Sequence, residues 1–301
     1  MVASQRGFVA LDKCLMLAAL VDPVRVILHF IEVKRILNQA VAGAATAQVS
    51  SPKGTVGYLL VLHGSSADRY QAAVTELSAV LSTRLGPTVN YRLAYLECAE
   101  TSLSQQIQAF GQQLAAASIN QMQILPLFLL PGVHVMEDIP TQVHQAQQAL
   151  TQLAVPIELV MQPYLGSQPQ LHDRLQQVVG PASATAARIL VAHGTKRPGG
   201  NQPIETLAET IQFIPAYWFV APSLSDQVTA LFERGVRQVV VLPYVLLAGS
   251  LTDGIARQID ELQLQFPSMQ FDRLPALDQS GVLIELIVTL CHHASLAHRT
   301  D

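Results

Sequence analysis

Leu59-Leu60-Val61-Leu62-His63-Gly64-Ser65 returns later in the chain as Ile189-Leu190-Val191-Ala192-His193-Gly194-Thr195. Both times a continuous apolar run of strand length enters a tight His-Gly loop and then a helix-compatible segment. Further on, Gln123-Ile124-Leu125-Pro126-Leu127-Phe128-Leu129-Leu130-Pro131-Gly132 returns as Val240-Val241-Leu242-Pro243-Tyr244-Val245-Leu246-Leu247-Ala248-Gly249, and Ser102-Leu103 as Ser223-Leu224. A repeat on this scale means two similar units. The second is the shorter, and a deletion near Pro198 to Pro215 accounts for most of the difference.

Outward from the first motif, Val56 to Leu62, Val89 to Leu96, Gln123 to Leu130 and Val155 to Met161 are strand-length apolar runs. Amphipathic stretches at Ser66 to Leu85, Ser104 to Ala117 and Gln142 to Leu153 separate them. Strands alternating with helices predict an α/β fold with a mostly parallel sheet of about four strands in each half, flanked by helices. The expected division is an N-terminal extension and linker over 1–53, a first half over 54–180 and a second over 181–301.

The chain has 301 residues, 50% of them hydrophobic, which suffices for two cores. With 13% charged residues, a net charge of −4 and no basic run, it lacks the footprint that nucleic acid requires. The apolar stretch from Phe8 to Phe30 is broken by Asp12, Lys13, Asp22, Pro23 and Arg25, too soon for a membrane span, and reads as a helical extension. Cys14, Cys98 and Cys291 lie far apart and form neither a disulfide framework nor a metal knuckle, so a cytoplasmic protein is expected, as a monomer or homodimer.

Open parallel sheets bind ligands outside the carboxyl ends of their strands. His63 and His134 both fall there, and so does Glu97. Set half against half, His63 matches His193, but His134 faces Leu251 and Glu97 faces roughly Trp218. Two imidazoles and a carboxylate suit a borderline divalent ion, so the N-terminal half is the one equipped for metal.

His63-Gly64-Ser65, Leu96-Glu97 before Ser102-Leu103, and Gly132-Val133-His134 leading to Asp138-Ile139-Pro140 resemble the sirohydrochlorin chelatases of the CbiX and SirB type. The resemblance runs from about Thr55 to about Leu290, with the two-repeat form the better match. It implies two Rossmann-like halves with an active cleft between them, and a lyase that inserts a divalent metal into sirohydrochlorin. It also implies His63 and His134 as metal-handling residues, with Glu97 as a third member and Asp138 as a brace of the loop. The metal, Co2+ in preference to Fe2+, is a substrate, and no permanently bound cofactor is expected.

Insertion must strip water from the ion and remove two pyrrole protons. A loosely held ion with open positions suits that task better than a closed four-ligand site. No GxxxxGK[ST] element occurs, so the reaction is expected to need no ATP. Ser65, Ser66, Arg69 and the backbone N–H groups of the following helix could meet the substrate's carboxylates, or merely cap and solvate that helix. His144 and His172 read as surface residues. Cys291-His292-His293 with His298 could suggest a metal-collecting tail, but the three histidines read as a solvated end, and Trp218 as core or cleft wall. The competing readings are insertion of iron or nickel by the same fold, a non-catalytic tetrapyrrole or metal carrier, and a bilobed small-ligand binding protein.

Overall fold

The structure is a computed structural model that describes residues 56–179 and 186–297. The expected extension and linker over 1–53 lie outside the described residues. The first half runs β1 (Val56–Leu62), α1 (Asp68–Leu85), β2 (Asn90–Tyr95), α2 (Leu103–Ala116) and β3 (Gln121–Pro126). A π-helical turn (His134–Asp138) then leads into α3 (Ile139–Gln152), β4 (Glu158–Met161) and α4 (Pro169–Val179). The second half repeats the plan: β5 (Ala187–Ala192), α5 (Gln202–Thr210), β6 (Ile214–Tyr217), α6 (Leu224–Glu233), β7 (Gln238–Pro243), α7 (Ser250–Gln265), β8 (Gln270–Arg273) and α8 (Val282–Ala297).

Each half forms a four-stranded sheet, in the orders β2-β1-β3-β4 and β6-β5-β7-β8. Every strand pair is parallel, where the sequence reading asked only for mostly parallel sheets. All seven residues of β1 are buried, as a central strand covered on both faces requires. Its alternation divides two cores. Tyr58, Leu60 and Leu62 join a cluster that also contains Leu190, Leu242 and Leu286 of the second half, while Leu59 and Val61 face Ile107, Phe110 and Leu150 of their own half. In β5, Leu190 and Ala192 enter the shared cluster, and Ile189 and Val191 enter a core private to the second half.

The two halves therefore share one apolar core. Helix α8 of the second half packs on α1 and α4 of the first. Across that contact Arg84 pairs with Glu285 at 2.6 Å, and the Tyr58 hydroxyl donates to the Cys291 carbonyl at 2.6 Å. Leu60 is fully buried in the shared cluster, so Leu60→Ala is expected to lower unfolding free energy by about 2–5 kcal/mol, measured by urea denaturation.

Several boundaries differ from the sequence reading. Strand β3 ends at Pro126 rather than continuing to Leu130, because its partner β1 stops at Leu62 and the last ladder bond is Leu127 N–H to Val61 O at 2.8 Å. The next residues stay apolar for packing, not pairing: Leu127 is buried. Strand β4 starts at Glu158, after Pro156, which has no N–H to give a ladder. The helix expected from Gln142 starts with the π turn at His134. The shortening near Pro198 to Pro215 is visible in the helices, since α1 has 18 residues and its counterpart α5 has nine. Ser102 and Ser223, matched by sequence, both cap their helices with reciprocal capping boxes.

Beside the histidines expected to be solvated, Cys291 is 1% exposed. Burial pushes its thiol up to about 12. The cause is the position of Cys291 on the side of α8 that meets the shared core, while His292 is exposed. The side chain of His293, and His298 altogether, lie outside the described residues. His144 is exposed and donates to or accepts from Gln148, while His172 is half-buried. Trp218 is partly buried in the second half's own core, with its six-membered ring close to Gly254, where a Cβ would lie 2.6 Å from it.

Candidate metal centre

A strand order of 2-1-3-4 reverses direction between β1 and β3, and helices leave the sheet on opposite faces there. The crevice this opens beyond the carboxyl ends of the two strands is where such sheets bind ligands. His63 follows β1 directly, and the segment after β3 delivers His134. Glu97 follows β2, and its position is set by the backbone. Leu96 N–H donates to Leu62 O at 2.9 Å and Glu97 N–H to His63 O at 2.8 Å, which extends β1–β2 pairing past both strand ends.

The Nε2 atom of His63 lies 4.0 Å from Glu97 Oε2, and that of His134 lies 4.0 Å from Glu97 Oε1. One donor atom from each of the three residues lies within 4.8 Å of the others, and this is the one such group among the described residues. The imidazoles meet edge to face with centroids 4.9 Å apart, and the Phe128 ring sits 6.3 Å from His63 and 6.2 Å from His134.

Both imidazoles are oriented through their other nitrogen. His63 Nδ1–H donates to Gly64 O at 3.0 Å, and His134 Nδ1 meets Asp138 Oδ2 at 2.7 Å. A carbonyl or carboxylate can only accept, so Nδ1 carries a proton in both rings, and in the neutral imidazole Nε2 is the nitrogen left with a lone pair for a metal. The π turn supplies the second of these contacts. It stacks His134 and Asp138 four residues apart, and it accommodates Pro140, whose ring would press on the Met136 carbonyl in a regular helix. Donors about 3.4 Å apart are needed to grip one ion tetrahedrally, so these three, within 4.8 Å of one another, must draw closer to share one. With 48% of the His63 side chain and 51% of that of Glu97 exposed, the set leaves room for water or another ligand.

Around this set, Gly64 holds φ +94° with its N–H donated to the Tyr70 hydroxyl at 3.1 Å. Burial raises the Tyr70 phenol, although this hydrogen bond acts to lower it. Ser65 Oγ accepts from Ala67 N–H at 3.2 Å, a local turn, and Ser66 is exposed. Helix α1 starts at Asp68, later than expected, with no side-chain cap. Arg69 makes an ion pair with Asp253 in the first turn of α7, which draws the carboxyl-end edges of the two sheets to one mouth.

The second half keeps the scaffold without the ligands. His193 repeats the contact to the next glycine, Nδ1 to Gly194 O at 2.9 Å. Its neighbour corrects the sequence alignment by one residue. Trp218 N–H bonds Ala192 O and Phe219 N–H bonds His193 O, so the counterpart of Glu97 is Phe219 and not Trp218. The two rings stand 4.3 Å apart. Leu251 stands where His134 does, one residue into α7.

Sequence reasoning had no signal for Phe128, which looked like strand. It also missed that Val133 and Met136 are exposed, at 47% and 62%, beside His134. Of the free cysteines, Cys98 is exposed directly after Glu97.

One imidazole pair and one carboxylate at the switch point of one half, in a duplicated parallel α/β chain, define a two-repeat protein with one open group that could hold a metal among the described residues. The chain belongs to the CbiX family, whose model matches residues 57–182 and again 187–294. It is 24% identical over 220 residues to the sirohydrochlorin ferrochelatase of Priestia megaterium, covering 68% of this chain and 78% of that protein. It is 22% identical over 189 residues to the sirohydrochlorin cobaltochelatase of the same organism, covering 59% of this chain and 60% of the relative's length. SirB from Bacillus subtilis with Fe3+ shares the fold, with a TM-score of 0.65 at 16% identity over 82% of this chain and 98% of that one.

Proposed function

We propose that this protein is a sirohydrochlorin chelatase, a lyase that inserts a divalent metal, Co2+ first, into the tetrapyrrole without ATP. The observation that carries the reading is the convergence of His63, Glu97 and His134, each with a free donor atom within 4.8 Å of the others. Family membership adds the substrate, since both curated relatives act on sirohydrochlorin by name. A second reading, Fe2+ as the metal, is favoured by the longer match to the ferrochelatase.

The first half, residues 54–180, carries the chemistry and the second, 181–301, completes the cleft. Three protein donors hold the ion and leave positions for the ring nitrogens, so the ion can pass from protein to ring without a stage free in water. An imidazole released by the ion is a base suited to a pyrrole proton near neutral pH. Glu97 offsets the ion's charge between the two histidines. Asp138 acts through His134, by holding its tautomer and its ring plane. Among the described residues no helix is long and apolar enough to cross a membrane. The cytoplasm remains the proposed compartment.

The test is anaerobic absorbance of sirohydrochlorin with Co2+ or Fe2+ in the presence of the full chain. Conversion well above the spontaneous rate supports the reading, and no acceleration with either metal ends it. Asp138→Asn preserves the shape of the brace and removes its charge. It is expected to weaken Co2+ binding by about 10- to 100-fold in calorimetry. His193→Ala is expected to leave Co2+ binding unchanged.

A further inference from the structure

The second half retains a loop at the position of the metal loop and equips it differently. Residues Gly194 to Asn201 follow β5 at the carboxyl edge, and hydrogen bonds within the loop brace it. Thr195 N–H donates to Asn201 Oδ1 at 2.9 Å, Asn201 Nδ2 donates to Thr195 O at 3.0 Å, and Arg197 N–H donates to Thr195 Oγ1 at 3.1 Å. The loop is thus held in shape while Lys196 and Arg197 stand exposed. Among the described residues neither makes an ion pair or a side-chain hydrogen bond, and Lys196 is the only lysine there. Arg69, the cation in the corresponding loop and helix start of the first half, is engaged with Asp253.

The same carboxyl edge carries exposed apolar side chains. Phe219 is 59% exposed and backed by the His193 ring at 4.3 Å. Phe219, Val133 and Met136 are three of the seven large hydrophobic residues exposed in the described chain, and all three sit in the carboxyl-edge segments of the two sheets. The Arg69–Asp253 pair joins those edges at one mouth. A mouth with unpaired cations and a bare aromatic ring suits a ligand that is flat, apolar across its faces and anionic at its rim.

We propose that the second half is the tetrapyrrole dock: Lys196 and Arg197 receive peripheral carboxylates of the macrocycle, and Phe219, supported by His193, faces its ring. This rests on the chelatase reading for the identity of the ring. The duplicated chain has then divided its labour, with metal held by the first half and ring by the second.

The experiment titrates the full chain with sirohydrochlorin alone, without metal, by absorbance, comparing wild type with Lys196→Glu/Arg197→Glu and with Phe219→Ala. Loss of two charge-assisted contacts is expected to weaken ring binding about 10- to 100-fold in the charge-reversed protein, and less as salt rises. Phe219→Ala is expected to weaken it about tenfold at all salt concentrations. Calorimetry with Co2+ alone should show unchanged metal binding in both, which separates the dock from the metal set and from misfolding. Ring binding within twofold of wild type in both variants overturns the dock. A wild type that binds no sirohydrochlorin overturns the dock and the chelatase reading together. A wild type that binds it but inserts no metal overturns the chelatase reading, and the variants still decide the dock.

Discussion

Alanine at His134 is expected to slow metal insertion about 100-fold or more, and alanine at His63 to do the same. Each substitution removes one of three donors that lie within 4.8 Å, leaving an imidazole and a carboxylate that water can outcompete. His134→Ala also strands Asp138, but that carboxylate is 45% exposed and stays solvated, so the fold should be little affected. Because the donors act on one ion, the double variant should be barely worse than either single one. The measurement is anaerobic conversion of sirohydrochlorin with Co2+, paired with calorimetry of Co2+ on the protein alone. A rate within threefold of wild type in either variant would remove these histidines from the mechanism.

Gly64→Ala is expected to cost about 3–5 kcal/mol of stability and to abolish insertion. Two penalties combine. The backbone at Gly64 has φ +94°, which a residue with a Cβ adopts only under strain, and that Cβ would press into the carbonyl oxygen of Glu97. The Glu97 N–H, bonded to His63 O at 2.8 Å, ties this segment to β1, so moving the carbonyl away strains that bond. Relief must separate β1 from the segment after β2, which moves His63 away from Glu97. Gly132→Ala is the control in the same site. A Cβ there meets nothing within 4 Å, so stability should change by no more than about 0.5 kcal/mol. Urea denaturation of the two variants checks the contrast; equal midpoints would refute the account.

How much of this was readable beforehand depends on the element. Strand β1 and its repeat β5 were legible because a central strand buried on both faces must be continuously apolar, and few other structures tolerate that. The run from Gln123 to Leu130 misled for the same reason. Leu127 and Phe128 are apolar for the core and for the histidine site, and nothing in their side chains marks where pairing stops. The π turn at His134 left no periodic trace, since Gly132 to Asp138 has neither a cap nor an apolar stripe. The one-residue error at Glu97 arose because Trp218 and Phe219 both continue an apolar run, and only backbone hydrogen bonds distinguish them.

By itself, the sequence determined that two like α/β units exist and that only the first has histidines beyond both central strands. These follow from local pattern and residue type, which every folded or unfolded copy carries. The tertiary structure alone decided that His63, Glu97 and His134 meet, that Cys291 is buried, and that Arg69 is taken by Asp253 while Lys196 and Arg197 remain unpaired. Such facts depend on strand order and on which groups compete for one another across space. Side chains far apart along the chain become neighbours only when the sheets close.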